Sequence, residues 1–220
     1  MPCDIGRITN RLADDAVNET NEVRDMKKLL ITGFEPFGGE CVNPSWEAVC
    51  CLSECINGYA LTKLLIPVVF GVGAEKVIQK AREVCPDVIL CIGQAGGRSA
   101  ITPELVGINL RHGSIPDNHG YQPQDEPILT EGASAYFSTL PARKIAEAIR
   151  LLGIPAQVSY SAGAYVCNDV LYTLLAHYQG SGTRVGFIHV PYSNEQNKEP
   201  ALPLEQITKA LVAAIETLDA

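Results

Sequence analysis

The sequence is short of positive charge. Lys and Arg number 17 against 25 Asp and Glu, which leaves a formal net charge of -8 with the four histidines neutral. A field of that sign repels phosphate backbones and anionic bilayers, so nucleic acid and membrane surfaces are not expected partners. Long apolar runs are also missing: none approaches the roughly 20 residues that cross a bilayer, and residues 1–30 lack the basic start and apolar middle of a secretory leader. A cytoplasmic protein is expected. There is no CxxC pair and no Cys/His cluster with zinc-ligand spacing. The glycines of Gly93-Gln94-Ala95-Gly96-Gly97-Arg98 have neither of the spacings that cradle nucleotide phosphates.

What is present fits one globular domain. Apolar residues make up 46% and charged ones 19%, without the shortage of large side chains that marks disorder. Eight cysteines occur. Cys50, Cys51 and Cys55 fall in a helix-like stretch and Cys85 and Cys91 flank a strand-like one, positions that favour buried, reduced thiols over disulfides. Residues 1–25 are polar, with six acids and three Arg, and the pattern changes sharply at Met26. They are expected to form a mobile extension without catalytic role, ahead of a domain at 26–220.

Strand-like and helix-like patterns then alternate. Strands are expected at 29–32, 61–69, 88–92, 156–159 and 185–190, and helices at 44–56, 74–84, 142–152, 165–177 and 204–218. Such alternation predicts a single-domain α/β fold, a three-layer α/β/α sandwich with a largely parallel, mixed central sheet. The stretch 108–140, rich in Pro, Gly, Asn and Asp, reads as a long loop at a binding rim.

Open sheets of this kind bind ligands beyond the carboxyl ends of their strands. Cys167 follows the turn Ser161-Ala162-Gly163 near the start of a predicted helix, where the helix dipole favours thiolate and free N–H groups can hold an oxyanion. Composition alone would read it as one more buried thiol. Among the histidines, His177 lies ten residues beyond Cys167 on the same predicted helix, about 15 Å away, too far to serve it. His112 and His119 fall in the polar loop. His189, amid Phe187, Ile188 and Val190, needs a partner, and a satisfied core histidine is as good a reading as a base. Glu104 could orient that base or be an ordinary surface acid after Pro103. Phe34 and Phe37, three apart in a strand-to-loop turn, read as core packing or as rings flanking a flat ligand, and the glycines beside Gln94 allow close backbone approach to a small polar ligand.

From Met26 onward the chain resembles the type I pyroglutamyl peptidases. The resemblance is carried by residues 32–39 (Thr-Gly-Phe-Glu-Pro-Phe-Gly-Gly), 43–46 (Asn-Pro-Ser-Trp), 93–98, 115–118 (Ile-Pro-Asp-Asn), 135–141, 161–168 and 186–192 (Gly-Phe-Ile-His-Val-Pro-Tyr), in that order. It implies an α/β/α domain that uses no metal or cofactor and releases pyroglutamate from peptide N-termini. It assigns a Glu104, Cys167, His189 triad, Phe34 and Phe37 against the pyrrolidone ring, Gln94 at the lactam, and a homotetramer. Leu105 and Ser114 stand where many relatives carry Arg, and Tyr160 where some carry Asn. Two rival readings are a nucleoside phosphorylase-like enzyme on a similar layout and a catalytically silent module that binds pyroglutamyl ends.

Overall fold

The computed structural model describes residues 26–219, so the expected extension at 1–25 lies outside the described residues. The first strand, β1 (Lys27–Phe34), is buried from Leu29 onward. After it come helix α1 (Pro44–Cys50), the short β2 (Cys55–Ile56), β3 (Tyr59–Ile66), α2 (Val72–Val84) and the wholly buried β4 (Val88–Gln94). Continuous apolar runs such as Val88-Ile89-Leu90-Cys91-Ile92 suit strands covered on both faces. Then follow β5 (Thr102–Pro103), β6 (Val106–Ile108), β7 (Ala135–Phe137), α3 (Ala142–Leu151), α4 (Val166–His177), β8 (Arg184–Val190), β9 (Tyr192–Ser193), β10 (Ala201–Leu202) and α5 (Leu204–Glu216).

Six strands form one mixed sheet in the order β2-β3-β1-β4-β8-β5. Pairs β1–β3, β1–β4 and β4–β8 are parallel, and the edge strands β2 and β5 run antiparallel to their neighbours. Strand side chains alternate between faces. Leu29, Ile31, Leu90, Ile92, Ile188 and Val190 therefore pack under α1, α3 and α5, while Leu30, Ile89, Cys91, Val185 and Phe187 pack under α2 and α4. From β1 the chain goes to β3 on one side and then to β4 on the other. That reversal marks the carboxyl ends of β1 and β4 as the place where open α/β sheets form a ligand crevice.

The entry to α1 shows how tightly this crevice is built. Asn43 caps the helix by accepting from Ser45 N at 3.1 Å, Pro44 takes the first position, and Ser45 Oγ accepts from Phe34 N at 3.0 Å. A Cβ on Gly33 would lie 2.5 Å from Trp46 Cα, so only glycine lets α1 cross β1 here.

Several expected elements differ. The helix foreseen at 44–56 stops at Cys50, because Asn57 (φ 46°) and Gly58 (φ 79°) form a two-residue turn that folds Cys55–Ile56 back on β3 as a hairpin. The segment 156–159 makes isolated bridges, Ile101 with Ala156 and Glu104 with Ser159, and no strand forms; Pro103 and Pro155 supply no ladder donors. The loop expected over 108–140 contains β7, paired antiparallel with β6. Cys50, Cys51, Cys55 and Cys85 are exposed and not buried: Ala48, Val49 and Leu52 take the inward face near α1, β2 is an edge strand, and Cys85 caps the end of α2. Cys91 is buried.

Candidate active site

Three chain segments converge at the carboxyl ends of the central strands. Cys167 is the second residue of α4, after the extended cap Tyr165 and a turn in which Gly163 has φ +80°. Tyr165 makes no side-chain bond to the helix end, so the first N–H groups of α4 keep their donor capacity. The helix packs through Val166, Val170 and Leu174 on the Phe187 face of the sheet, and Cys167 sits on that face too. Its Sγ lies 3.0 Å from where a Cβ on Gly93 would stand, and the Phe187 ring lies 2.7 Å from the same point. Gly93 thus makes room for the thiol. In the β4–β8 register Gly93 faces His189, which puts the imidazole and the thiol beside the same strand residue.

His189 is 3% exposed and its ring packs on Phe187 at 4.8 Å between centroids. Its Nδ1 lies 2.7 Å from Glu104 Oε1. An ionised carboxylate only accepts, so Nδ1 carries the proton and Nε2 is left as the basic nitrogen. Glu104, 1% exposed, follows β5, and its N–H donates to Phe187 O at 2.9 Å. The antiparallel pairing of Thr102 with His189 brings the carboxylate and the imidazole together. No hydrogen bond joins Cys167 to His189 among the described residues.

Sequence reasoning gave no role to the guanidinium that completes this group. Arg98 Nη1 lies 2.6 Å from Glu104 Oε1 and 2.6 Å from Thr102 Oγ1, and Nη2 donates to Ser161 O at 3.1 Å. It ties the Gly93–Arg98 loop to the carboxylate and to the turn before α4. The available signal was its place at the end of a glycine-rich loop after a buried strand. Leu105, directly after Glu104, is half-buried and its N–H donates to Ser159 O, and Ser114 is exposed. Asn168 also went unassigned. It is fully buried beside Cys167 and holds Ile108 N, Ile108 O and Leu110 O, which fixes the start of the long loop against α4.

Electrostatics assigns protonation states. Burial acts to raise the Glu104 carboxyl, but hydrogen bonding and charge from His189, with Ser159 and Arg98, outweigh it and hold the group below the usual carboxylate range. Burial lowers His189 below its ordinary value, against the opposing pull of Glu104 and with help from Arg98. Burial pushes the Cys167 thiol up to about 12, and the charge of Glu104 adds to the rise. The helix terminus alone would favour the expected thiolate; burial and the carboxylate reverse that balance. The resting group is a thiol, a neutral imidazole and a carboxylate.

The remaining expected site residues divide. Phe34 is 2% exposed and packs on Phe187 at 6.2 Å, in the core beneath the crevice. Phe37 is half-buried against Tyr165 at 6.3 Å, and Tyr165 in turn meets Phe70 at 5.3 Å, which makes an aromatic wall beside the start of α4. Gln94 closes β4 next to Gly93, with its oxygen accepting from Gln196 Nε2 at 3.0 Å. Of the other histidines, His112 pairs with Asp125 at 3.0 Å, and His119 and His177 are exposed.

A thiol at a helix start, an imidazole and a buried carboxylate, gathered at one end of an α/β sheet, have the layout of a cysteine hydrolase. The chain belongs to the pyroglutamyl peptidase family, whose model matches residues 27–220. It is 46% identical over 197 residues to the pyrrolidone-carboxylate peptidase of Thermoanaerobacter sp. (strain X514), covering 87% of this chain and 97% of the relative. It is 48% identical over the same length to that of Levilactobacillus brevis, with the same coverage. The crystal structure of pyroglutamyl peptidase I from Bacillus amyloliquefaciens superposes with a TM-score of 0.85 at 45% identity, covering 89% of this chain and 96% of that one. The pyrrolidone carboxyl peptidase from Thermococcus litoralis gives 0.84 at 37% identity, covering 88% and 93%.

Proposed function

We propose that in this chain, a cysteine peptidase that removes N-terminal pyroglutamate from peptides, Cys167 is the nucleophile, His189 the base and Glu104 the residue that orients the base. The observation that carries this reading is the buried Glu104–His189 pair beside the thiol that rests over Gly93. As Cys167 Sγ attacks the carbonyl joining pyroglutamate to the next residue, its proton passes to His189 Nε2, and the imidazolium is held by Glu104. Free N–H groups at the start of α4 hold the oxyanion. The C–N bond then breaks, His189 gives its proton to the leaving amine, and a thioester remains. Water attacks the thioester with its proton going to His189, pyroglutamate leaves, and the proton returns to sulfur.

The lactam is met by Phe37, by the Gln94 amide and backbone and, through the packing beneath, by Phe34. Residues 26–220 form the peptidase domain, and 1–25 take no part in catalysis. A reducing compartment, the cytoplasm, suits the five free cysteines that stand exposed among the described residues, and no described helix is long and apolar enough to cross a membrane. We propose a homotetramer, with the exposed Phe137, Leu151 and Leu152 offering apolar surface for subunit contacts.

A site built to hydrogen-bond a lactam rejects a ring lacking its carbonyl, since polar groups are then left unpaired. Fluorogenic pyroglutamyl and prolyl amides test this. The pyroglutamyl amide is expected to be turned over at least about a thousandfold faster; equal turnover of both sinks the specificity, and binding without turnover leaves only the silent module.

A further inference from the structure

Gln94 does not choose its own orientation. Its neighbour Gln196 lies in the short helical turn after β9, where Ser193 and Gln196 form a capping box. Ser193 N–H, which can only donate, lies 3.1 Å from Gln196 Oε1. The oxygen of Gln196 is therefore turned to Ser193 and its NH2 group away. That NH2 lies 3.0 Å from Gln94 Oε1 and 3.3 Å from Glu40 Oε2. Glu40 is kept ionised by its bond to Lys198, whose ammonium also stands 5.3 Å from the Tyr192 ring. A backbone donor at one end and a carboxylate acceptor at the other fix the polarity of the relay.

The consequence falls on Gln94. With one lone pair of its oxygen taken by Gln196, its unengaged donor is Nε2, which has no partner among the described residues, on a residue only 8% exposed at the carboxyl end of β4. We infer that Gln196 is a positioning residue that locks the Gln94 amide with its NH2 toward the ligand, so that Gln94 reads the lactam through the ring carbonyl and not through the ring N–H. This deepens the proposed function and rests on it. Glu40 and Lys198 join the loop after β1 to the segment after β9, holding both walls of the relay in place.

Replacing Gln196 by Glu keeps an acceptor for Ser193 but removes the donor toward Gln94, which then turns its own NH2 to the new carboxylate and presents oxygen to the substrate. KM and kcat for a fluorogenic pyroglutamyl amide, measured for Gln196→Glu and Gln196→Ala in the wild-type and Gln94→Ala backgrounds together with melting temperature, test this. The expected result is a KM raised about tenfold by Gln196→Glu, with kcat changed less than about threefold, and no further loss when Gln94 is already Ala. If Gln196→Glu fails to fold, Gln196→Ala carries the same expectation with a smaller rise, because it leaves Gln94 free to turn. An unmoved KM, a fall in kcat alone, or an equal loss in the Gln94→Ala background overturns the inference while the proposed function stands. A wild-type chain inert to the amide overturns both.

Discussion

One carboxylate oxygen, Glu104 Oε1, receives His189 Nδ1 and Arg98 Nη1 at 2.7 and 2.6 Å. Two donors on one oxygen hold the carboxylate ionised in a place where burial alone would neutralise it. The same guanidinium charge acts directly on its neighbours, keeping His189 less basic and opposing the rise of the Cys167 thiol. The proposed mechanism needs neutral His189, which burial holds below the ordinary imidazole value; kcat/KM is therefore expected to persist through the pH range where a free imidazole protonates and to fall only on its acid side. Arg98→Met should move that acid limb to higher pH and lower kcat/KM about tenfold, equivalent to ~1.4 kcal/mol of lost transition-state stabilisation. Arg98→Lys, which keeps the charge but not the fork, should shift the limb less. A pH–rate profile of the three proteins checks this, and an unmoved acid limb in Arg98→Met would show that the residue only braces the loop.

At the scale of elements, β4, β8 and the first turn of α4 do the positioning. Period-two alternation puts Cys91, Gly93, Phe187 and His189 on one face, and α4 lays Cys167 against that face where Gly93 leaves a gap. Gly93→Ala would push a methyl toward Cys167 and Phe187. A loss of kcat/KM of about a hundredfold is expected, with melting temperature lowered by overpacking; activity within twofold of wild type would show that the thiol does not rest there in the working enzyme. The strands were legible in the sequence as the apolar runs that buried parallel strands need, and α4 as an apolar stretch of helical length after a small-residue turn, so the positions of Cys167 and His189 on them could be read from pattern. Glu104 could not. It follows a strand of two residues, one of them proline, too short to show any period, and its partner strand is 85 residues away in sequence. Arg98 was hidden for a related reason, since a loop guanidinium reveals its partner only after folding. The Asn57-Gly58 hairpin was a local signal that the helical run before it masked.

For the molecule as a whole, the reversal of strand order at β1 gathers the loop after β1, the loop after β4, the start of α4 and the end of β8 at one mouth. Antiparallel β5 then carries the carboxylate to the edge of the same site. Cleavage of pyroglutamyl amides at this mouth is proposed to run through Cys167. Hydrolysis of a fluorogenic pyroglutamyl amide by the wild type and by Cys167→Ser tests it most directly, because Cys41, Cys50, Cys51, Cys55 and Cys85 are exposed and would also react with an alkylating agent. Turnover by the wild type without added phosphate is expected, with a loss of at least about a thousandfold in a folded Cys167→Ser protein. Turnover that survives the substitution within tenfold, or that requires phosphate, would contradict it.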